Sequence, residues 1–258
     1  MKNSKSAVMN RQLNILNLIR DRGEVSVEEL AETFNISVIT VRRDLQLLEQ
    51  QRLLSRVHGG ARVGGPEEDR GEDAENLRYC RSCISRYAAR FVADGDAIFV
   101  NGSRTALDML KHVKDTNLLV YTNNAWALEE TYPKGVKIVM SGGECRNHIF
   151  VGDYVMRNLL SLKANKTFIG CAAVFEDGEF GYDIPTEIGI NEIMISRTEG
   201  ELYVLADHTK LRRNYDTTSI YGGCTYDREL TLITDSKADS EIVEALRCNK
   251  IKVIIVPV

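Results

Sequence analysis

The apolar positions of residues 1–62 recur at helical spacing, whereas those after residue 77 fall mostly in short continuous runs. Near the N-terminus, one apolar stripe at i, i+3, i+4 and i+7 consists of Val27, Leu30, Ala31 and Phe34. A second stripe follows after a three-residue turn and consists of Val38, Val41, Leu45 and Leu48. An apolar segment that contains Ile15, Leu16 and Ile19 precedes both stripes. The spacing predicts three helices around a small core.

Capping residues mark the ends of the last two predicted helices. Ser26 can cap the first of them, while Glu29, three residues on, reaches back to the free backbone N–H. The turn 35–37 follows, and Ser37 is placed to cap the next helix. Two short helices joined by such a turn have the layout of a helix-turn-helix, whose second helix enters the major groove of DNA.

The side chains outside the buried stripe of the second helix are suited to DNA contact. Asp44 is the exception, and we expect it to pair with a neighbouring arginine because a carboxylate that faces phosphates is unfavourable. Residues 54–62 then predict a hairpin wing that lies along the phosphate backbone. The predicted DNA-binding set is Ser37, Ile39, Thr40, Arg42, Arg43, Gln46, Arg56, His58 and Arg62. A small winged domain that binds protein is the alternative.

The C-terminal part predicts a mostly parallel, Rossmann-like α/β domain. Strands are expected at 97–100, 118–121, 137–140, 167–170, 202–206, 230–233 and 253–256. Helices are expected at 77–92, 105–113, 125–132, 152–162, 186–197 and 240–248. Apolar strands that alternate with helices indicate a parallel sheet covered on both faces. Residues 63–76, which include Gly, Pro and six acidic residues, predict a flexible linker between domains 1–62 and 77–258.

Small and polar residues follow several of the predicted strands. Ligands of open α/β sheets bind beyond the carboxyl ends of the strands, and a positively charged loop there suits an anion such as phosphate. Arg104 and Lys210 are expected to supply that charge. The predicted effector-binding set is Asn101, Gly102, Ser103, Arg104, Thr105, Thr122, Asn123, Asn124, Gly142, Gly143, Asp207 and Lys210.

Charge is distributed unevenly along the 258 residues, whose net charge is −4. Residues 1–62 hold ten Lys/Arg against seven Asp/Glu, a net +3, so the remainder carries −7. A weakly basic head predicts that two heads bind DNA together, which requires a homo-oligomer, either a dimer or a tetramer.

Composition also excludes several classes of protein. No run of 18 apolar residues is present, and the N-terminus lacks a signal-peptide core, so we expect a cytoplasmic protein without membrane partners. Six cysteines in a chain of this length predict reduced thiols. The pair Cys80 and Cys83 has metal-ligand spacing, but no second pair accompanies it. We therefore expect no metal, no cofactor and no catalytic residue.

Motifs along nearly the whole chain resemble those of the DeoR family of bacterial regulators. In the head the resemblance is carried by Thr40-Val41-Arg42-Arg43-Asp44-Leu45 and Arg56-x-His58-Gly59-Gly60-Ala61. In the larger domain it is carried by Asp94-Gly95-Asp96, Thr122-Asn123, Gly142-Gly143, Phe168-Ile169-Gly170, Asp207-x-x-Lys210 and Ile233-Thr234-Asp235. The resemblance implies a repressor of carbohydrate-utilisation genes that binds double-stranded operator DNA. It also implies an effector domain similar to sugar-phosphate isomerases, with a phosphorylated sugar or related anion as effector.

The chain departs from the family pattern at three places in the larger domain. Ser103-Arg104-Thr105 stands where the family often has Gly-Thr-Thr, Asn165 stands near a usual acid, and Asn191 stands in place of a common lysine. These changes alter charge, so we expect an unusual ligand. The alternative function is a sugar-phosphate isomerase-like enzyme with an appended DNA-binding head. Its candidate bases are Glu144, Asp183 and Glu187.

Overall fold

The computed structural model of the chain describes residues 5–22, 24–50, 54–57, 59–62, 72–114, 116–146, 148–182, 184–213, 221–224 and 228–258. The chain forms two compact units, Met1–Glu75 and Asn76–Val258. Their boundary falls inside the stretch that was expected to be a linker.

The first unit contains three helices and a small antiparallel sheet. Its elements are α1 (Lys5–Arg22), β1 (Glu24–Ser26), α2 (Val27–Phe34), α3 (Val38–Gln50), β2 (Ser55–Val57) and β3 (Gly60–Arg62). The sheet has the order β1-β3-β2, so the predicted hairpin wing gains a third strand from the residues that precede α2. This is the architecture of a winged helix-turn-helix.

The core of the first unit is the one that the apolar spacing predicts. Ile15 and Ile19 of α1 meet Leu30 of α2 and Leu45 of α3, and all four side chains are fully buried. Ser26 caps α2, because its Oγ accepts a hydrogen bond of 3.1 Å from the Glu29 N–H. The Glu29 carboxylate accepts a hydrogen bond from Arg22 of α1, so it links two helices.

The second unit is a three-layer α/β domain with two small additions. Its helices are α4 (Glu72–Ala88), which begins four residues before the unit does, α5 (Arg104–Asp108), α6 (Asp153–Leu160), α7 (Pro185–Ser196) and α8 (Ser240–Cys248). The strands of its main sheet are β4 (Ala97–Val100), β5 (Leu118–Thr122), β6 (Val136–Met140), β9 (Ala164–Ile169), β12 (Thr198–Leu205), β15 (Thr231–Asp235) and β16 (Lys252–Val256). The additions are the hairpin β7 (Glu144–Arg146) and β8 (Ile149–Val151), and a sheet of β10 (Ala173–Phe175), β11 (Phe180–Tyr182), β13 (Leu211–Arg212) and β14 (Tyr221–Cys224).

The seven-stranded sheet is parallel throughout and has the order β16-β15-β12-β9-β4-β5-β6. The first strand of the domain, β4, lies in the middle. Later strands are added on one side as β5 and β6 and on the other side from β9 onward. The direction of winding therefore reverses between β4 and β9, which is where open α/β sheets bind ligands.

Both faces of this sheet are covered, as continuous apolar strands predict. On β4, Ile98 and Val100 pack with Ile84 of α4, while Phe99 on the opposite face packs with Met194 of α7. All five side chains have no exposed surface. Packing against helices on two sides keeps the ends of β4 and β9 in fixed positions.

Three features of this unit differ from the sequence prediction. The helix expected at 125–132 is only the short 3-10 helix Ala125–Leu128. The helix expected to begin at Leu77 begins at Glu72, so 72–76 are helical rather than linker. The strands of the hairpin and the small sheet, which are two to four residues long, were not predicted because such lengths carry too little periodicity. Among the described helices, none has the length and apolar character that a membrane crossing requires.

Candidate DNA-binding and effector sites

The outward surface of α3 carries the side chains that were predicted to meet DNA. Ile39 is 78% exposed, and Arg42, Arg43 and Gln46 are exposed on the same helix. Ser37 caps α3, because its Oγ accepts a hydrogen bond of 3.2 Å from the Thr40 N–H and lies 2.8 Å from the Thr40 hydroxyl. Among the described residues of the first unit, none covers the Ile39 side chain at the middle of this surface.

Asp44 faces inward and ties α3 to α1. Its carboxylate accepts hydrogen bonds from Arg11 Nε at 2.7 Å, Arg11 Nη2 at 3.1 Å and Gln12 Nε2 at 3.0 Å. The pair raises the pKa of Arg11, chiefly through the hydrogen bond to Asp44. Because Asp44 is 2% exposed, its role is structural, as the sequence predicts.

The wing follows α3 in the chain. Arg56 lies in β2 and Arg62 lies in β3, while His58, also expected at the phosphates, lies outside the described residues. The backbone N–H of Val27 bonds to the Gly59 carbonyl at 2.8 Å, which joins the hairpin turn to the start of α2. Wing and helix-turn-helix thus form one rigid head.

A cavity of about 240 Å³ opens at the switch point of the parallel sheet, which is the place where the direction of winding reverses. It lies beyond the carboxyl ends of β4, β9 and β12. Seven of the predicted effector residues line it: Asn101, Gly102, Ser103, Arg104, Thr105, Asp207 and Lys210. The lining residues outside the predicted effector-binding set are Arg81, Gly170, Cys171, Ala172, Glu187, Leu205 and Ala206. Three loops far apart in the sequence therefore meet at one site.

Asn101 joins two of these loops. Its Nδ2 donates to the Gly170 carbonyl at 2.9 Å and its Oδ1 accepts from the Gly170 N–H at 3.0 Å. The same Oδ1 accepts from the Ser103 N–H at 3.2 Å, and Ser103 Oγ caps α5 by accepting from the Ala106 N–H at 3.2 Å. These side chains are engaged in building the wall of the cavity.

Asp207 holds an arginine at the cavity. The Arg81 Nε donates to Asp207 Oδ2 at 2.8 Å, and Thr209 donates to Oδ1 through both its N–H and its hydroxyl. Burial alone would raise the pKa of Asp207, but the hydrogen bonds from Thr209 and Arg81 outweigh it and hold that pKa below its ordinary value. The Asp207 carboxylate is therefore ionised and acts as an anchor for Arg81.

Lys210 and Arg104 differ in their surroundings, although both were expected to face an anion. Lys210 lies in the cavity wall, where its charge helps to lower the pKa of Asp207. The Arg104 guanidinium lies 4.6 Å from the centre of the Trp126 ring and donates to Glu130 Oε1 at 3.3 Å. Arg104 and Arg81 both line the cavity and both have a carboxylate partner: Glu130 for Arg104 and the cavity residue Asp207 for Arg81.

Five predicted effector residues do not line the cavity. Thr122, Asn123 and Asn124 are buried, and Asn124 donates to the Ser103 carbonyl at 3.3 Å, so it supports the loop from behind. Gly142 and Gly143 pack against α6. Gly143 has φ +102°, and a Cβ there would lie 2.6 Å from Val155 Cγ2. Gly143 is therefore needed for close packing, whereas at Gly142 the φ of +67° is what favours glycine.

The departures from the family pattern have different structural roles. Asn165 lies at the amino end of β9, where its Oδ1 accepts a hydrogen bond from the Ala97 N–H at 2.8 Å. It is therefore at the opposite end of the strands from the cavity. Asn191 lies beside the cavity wall, and its Oδ1 accepts from Asn101 Nδ2 at 3.0 Å. Within the described part of the chain, the buried Asn191 Nδ2 has no hydrogen-bond partner.

The three candidate bases of the alternative enzyme function do not lie together. Glu187 lines the cavity, whereas Glu144 is exposed in β7 and pairs with Arg146 at 2.9 Å. Asp183 lies outside the described residues. Arg81, the main residue missed, gives no sequence signal because its partner Asp207 is 126 positions away.

Comparison with known proteins matches both units to one family. Residues 11–66 match the model of the DeoR-like helix-turn-helix domain, and residues 80–236 match the DeoR C terminal sensor domain. The chain is 31% identical over 257 residues to the uncharacterized HTH-type transcriptional regulator YulB of Bacillus subtilis, covering 97% of both. It is 30% identical over 247 residues to the lactose phosphotransferase system repressor of Staphylococcus aureus strain N315, covering 90% of this chain and 94% of that one.

Two further matches are weaker. The transcriptional repressor AccR of Agrobacterium fabrum is 29% identical over 217 residues, with 81% of this chain and 84% of that one covered. Ribose 5-phosphate isomerase A of Methanocaldococcus jannaschii overlaps with a TM-score of 0.39 at 15% identity, over 53% of this chain and 55% of that one, which says nothing about chemistry. The helix-turn-helix, the sensor domain and the full-length relatives agree: the chain belongs to the DeoR family of transcriptional regulators.

Proposed function

We propose that this protein is a repressor that releases its operator when a phosphorylated sugar or a related anionic metabolite occupies the cavity. The proposal has a DNA half and an effector half. The exposed face of α3 supports the first, and the cationic cavity at the switch point supports the second.

The DNA half assigns base reading to α3. Arg43 is exposed and has the fork of donors that binds guanine O6 and N7 bidentately, and Ile39 suits the methyl group of thymine. Thr40 and Gln46 complete the base-reading set. Arg42, Arg56 and Arg62 hold phosphates and fix the orientation of the head. Because residues 1–62 carry a net charge of only +3, two heads of a homo-oligomer bind a two-fold operator together.

The effector half rests on the charge and size of the cavity. Lys210 and the anchored Arg81 are two cations in one wall, and Glu187 is a carboxylate that can accept from a hydroxyl group. A volume of about 240 Å³ suits a small metabolite. Arginine and lysine beside a small polar pocket are the groups that bind a phosphate together with its sugar.

The names of the relatives support repression of transcription rather than activation. AccR and the lactose phosphotransferase system protein of Staphylococcus aureus are both named repressors. In this proposal effector binding favours an arrangement of heads that does not fit the operator. The difference in affinity between the two arrangements then releases the DNA.

One experiment tests both halves. An operator is selected from random duplexes, and fluorescence anisotropy follows its release by a panel of sugar phosphates, each paired with its unphosphorylated sugar. We expect at least one phosphorylated compound to release the operator while its neutral partner does not. Failure to select any duplex contradicts the DNA half. Release by neutral sugars alone contradicts the anionic effector.

Glu187 gives the alternative function its one supporting observation, because an isomerase needs a carboxylate beside its substrate carbon. NMR of the same panel, with the protein at substrate level, detects any interconversion of aldose and ketose. Turnover that is lost in Glu187→Gln would favour the enzyme, and unchanged spectra favour the regulator.

A further inference from the structure

Cys80, His208 and Asp235 come together beneath the cavity, although they are far apart in the sequence. Cys80 lies in α4, His208 follows β12, and Asp235 ends β15. Their potential ligand atoms, one from each side chain, all lie within 4.8 Å of one another. Cys80 and Asp235 have no exposed surface, whereas 26% of the His208 side chain is exposed.

The Asp235 carboxylate is fixed by the backbone. Its Oδ2 accepts from the His208 N–H at 2.8 Å, and its Oδ1 accepts from the Lys237 N–H at 3.0 Å. The His208 Nδ1 lies 2.9 Å from Oδ1. Two backbone donors therefore hold this carboxylate in place even when the imidazole turns to another partner.

We propose that Cys80, His208 and Asp235 bind a divalent transition metal ion of the zinc class. Thiolate, imidazole and carboxylate are the three ligand types that Zn²⁺ accepts, at about 2.3, 2.0–2.1 and 2.0–2.2 Å. A tetrahedral ion at those bond lengths separates its ligand atoms by roughly 3.3–3.6 Å. The three ligand atoms, which now lie within 4.8 Å of one another, would have to close to that separation, and the fourth position is left for water or an incoming ligand.

Charge and access favour metal binding over nucleophilic catalysis, which is the other role open to a Cys–His–Asp group. A Cys–His–Asp group can activate a nucleophile, but Cys80 is fully buried, so no substrate reaches its sulfur. Once the thiol has lost its proton, the thiolate and the carboxylate carry two negative charges, which a divalent ion neutralises. Binding exchanges the Cys80 thiol proton for the ion, and the partly exposed His208 provides the way in.

The site is linked to the effector cavity through neighbouring residues. Cys80 is followed by Arg81, and His208 is preceded by Asp207, so the cavity pair Arg81–Asp207 lies directly beside the proposed ligands. An ion would cross-link α4 to the carboxyl ends of β12 and β15. It would thereby fix the position of the arginine that faces the cavity.

The test is a Co²⁺ titration of the full-length protein, after a chelator has removed bound metal and a phosphine has reduced the thiols. We expect one equivalent to bind with a near-ultraviolet thiolate-to-cobalt charge-transfer band and the visible bands of four-coordinate cobalt. Cys80→Ser should lose the charge-transfer band. Cys83→Ser, one turn along the same helix and outside the cluster, should keep it. His208→Gln and Asp235→Asn should each weaken binding at least tenfold.

Absence of the charge-transfer band in the wild-type protein at excess Co²⁺ would overturn the proposal, and so would its persistence in Cys80→Ser. If Cys80→Ser does not fold, X-ray absorption of the zinc-loaded wild-type protein decides the question. We expect one sulfur at about 2.3 Å together with nitrogen and oxygen neighbours at about 2.0–2.1 Å. A shell without sulfur would exclude Cys80.

Discussion

Gly170 is the position at which a single methyl group should disturb the effector cavity most. It follows β9 and faces the loop that begins α5. A Cβ at Gly170 would lie 2.2 Å from Ser103 Oγ and 2.6 Å from Ser103 Cβ. Since real Cβ atoms stay at least 3.0 Å from other heavy atoms, Gly170→Ala must push Ser103 away.

The loop that contains Ser103 is held by hydrogen bonds, and this determines how much stability Gly170→Ala should cost. Ser103 caps α5, and the Asn101 side chain bonds both to the Ser103 N–H and to the Gly170 backbone. Overpacking of a tightly packed site costs about 1–3 kcal/mol, and we expect Gly170→Ala to lower the free energy of unfolding by this amount. The double variant Gly170→Ala, Ser103→Gly removes the obstruction. It should recover most of the loss, because replacing a serine cap by glycine costs only about a few tenths of a kcal/mol.

The single tryptophan makes the measurement specific. Trp126 is the only tryptophan of the chain and lies in the second unit, so its fluorescence during urea unfolding follows that unit alone. Gly189→Ala is the matched control, because its Cβ would meet Met156 Sδ at an ordinary 3.6 Å inside α7. We expect Gly189→Ala to stabilise by about 0.5–1 kcal/mol.

Two results would refute this reasoning. One is a Gly170→Ala protein whose unfolding free energy lies within about 0.5 kcal/mol of the wild type, the range of a neutral surface change. The other is a double variant no more stable than Gly170→Ala alone, which would mean that Ser103 is not the obstacle.

Three further predictions concern DNA, effector and assembly. Arg43→Ala should weaken operator binding by about 1–3 kcal/mol and relax specificity, whereas Arg56→Ala should weaken binding to all duplexes equally and reduce its salt dependence. Gel shifts on operator and scrambled DNA separate the two effects, and an unchanged operator affinity of Arg43→Ala would contradict base reading by α3. Lys210→Ala should weaken effector binding roughly ten- to a hundredfold, whereas Arg104→Ala should change the effector affinity less than about threefold, because the Arg104 charge is already paired. Calorimetry with the compound that releases the operator measures both affinities, and a wild-type affinity in Lys210→Ala would contradict the proposed effector site. The fragment 77–258 should fold and oligomerise alone, and a monomer by light scattering would mean that other residues pair the heads.

The head was predictable because its information is local. The stripe of α2, the cap at Ser26 and the turn before Ser37 all lie within about three turns of helix, so spacing alone identifies them. The inward Asp44 followed from electrostatics. Its partner was predicted only as an arginine, because nothing in the sequence brings Arg11 of α1 to α3.

The cavity was predictable only in part. The rule that ligands bind at the carboxyl ends of parallel strands selected the loops at Asn101 and Asp207, and both loops line the cavity. It could not foresee that Arg104, which lines the cavity together with Lys210, also lies over the Trp126 ring. Nor could it find Arg81, which belongs to a helix that precedes the sheet. The approach of Cys80 to His208 and Asp235 escaped for the same reason, since metal-ligand spacing in sequence detects only ligands that are neighbours in the chain.

The early start of α4 has a mechanical consequence. Arg81, which faces the cavity, and Glu72, which begins the helix, are nine residues apart on one continuous rod, about 14 Å at 1.5 Å per residue. A hydrogen-bonded helix is stiff along its axis, so a shift of Arg81 in that direction reaches Glu72 almost undiminished. In the proposed function, α4 would therefore carry a displacement at the cavity wall along its own axis to the residue at which the helix begins. Inserting a single alanine between Glu75 and Arg81 would turn the Glu72 end by about 100° relative to Arg81, and under the proposed function it should weaken the release of operator by effector.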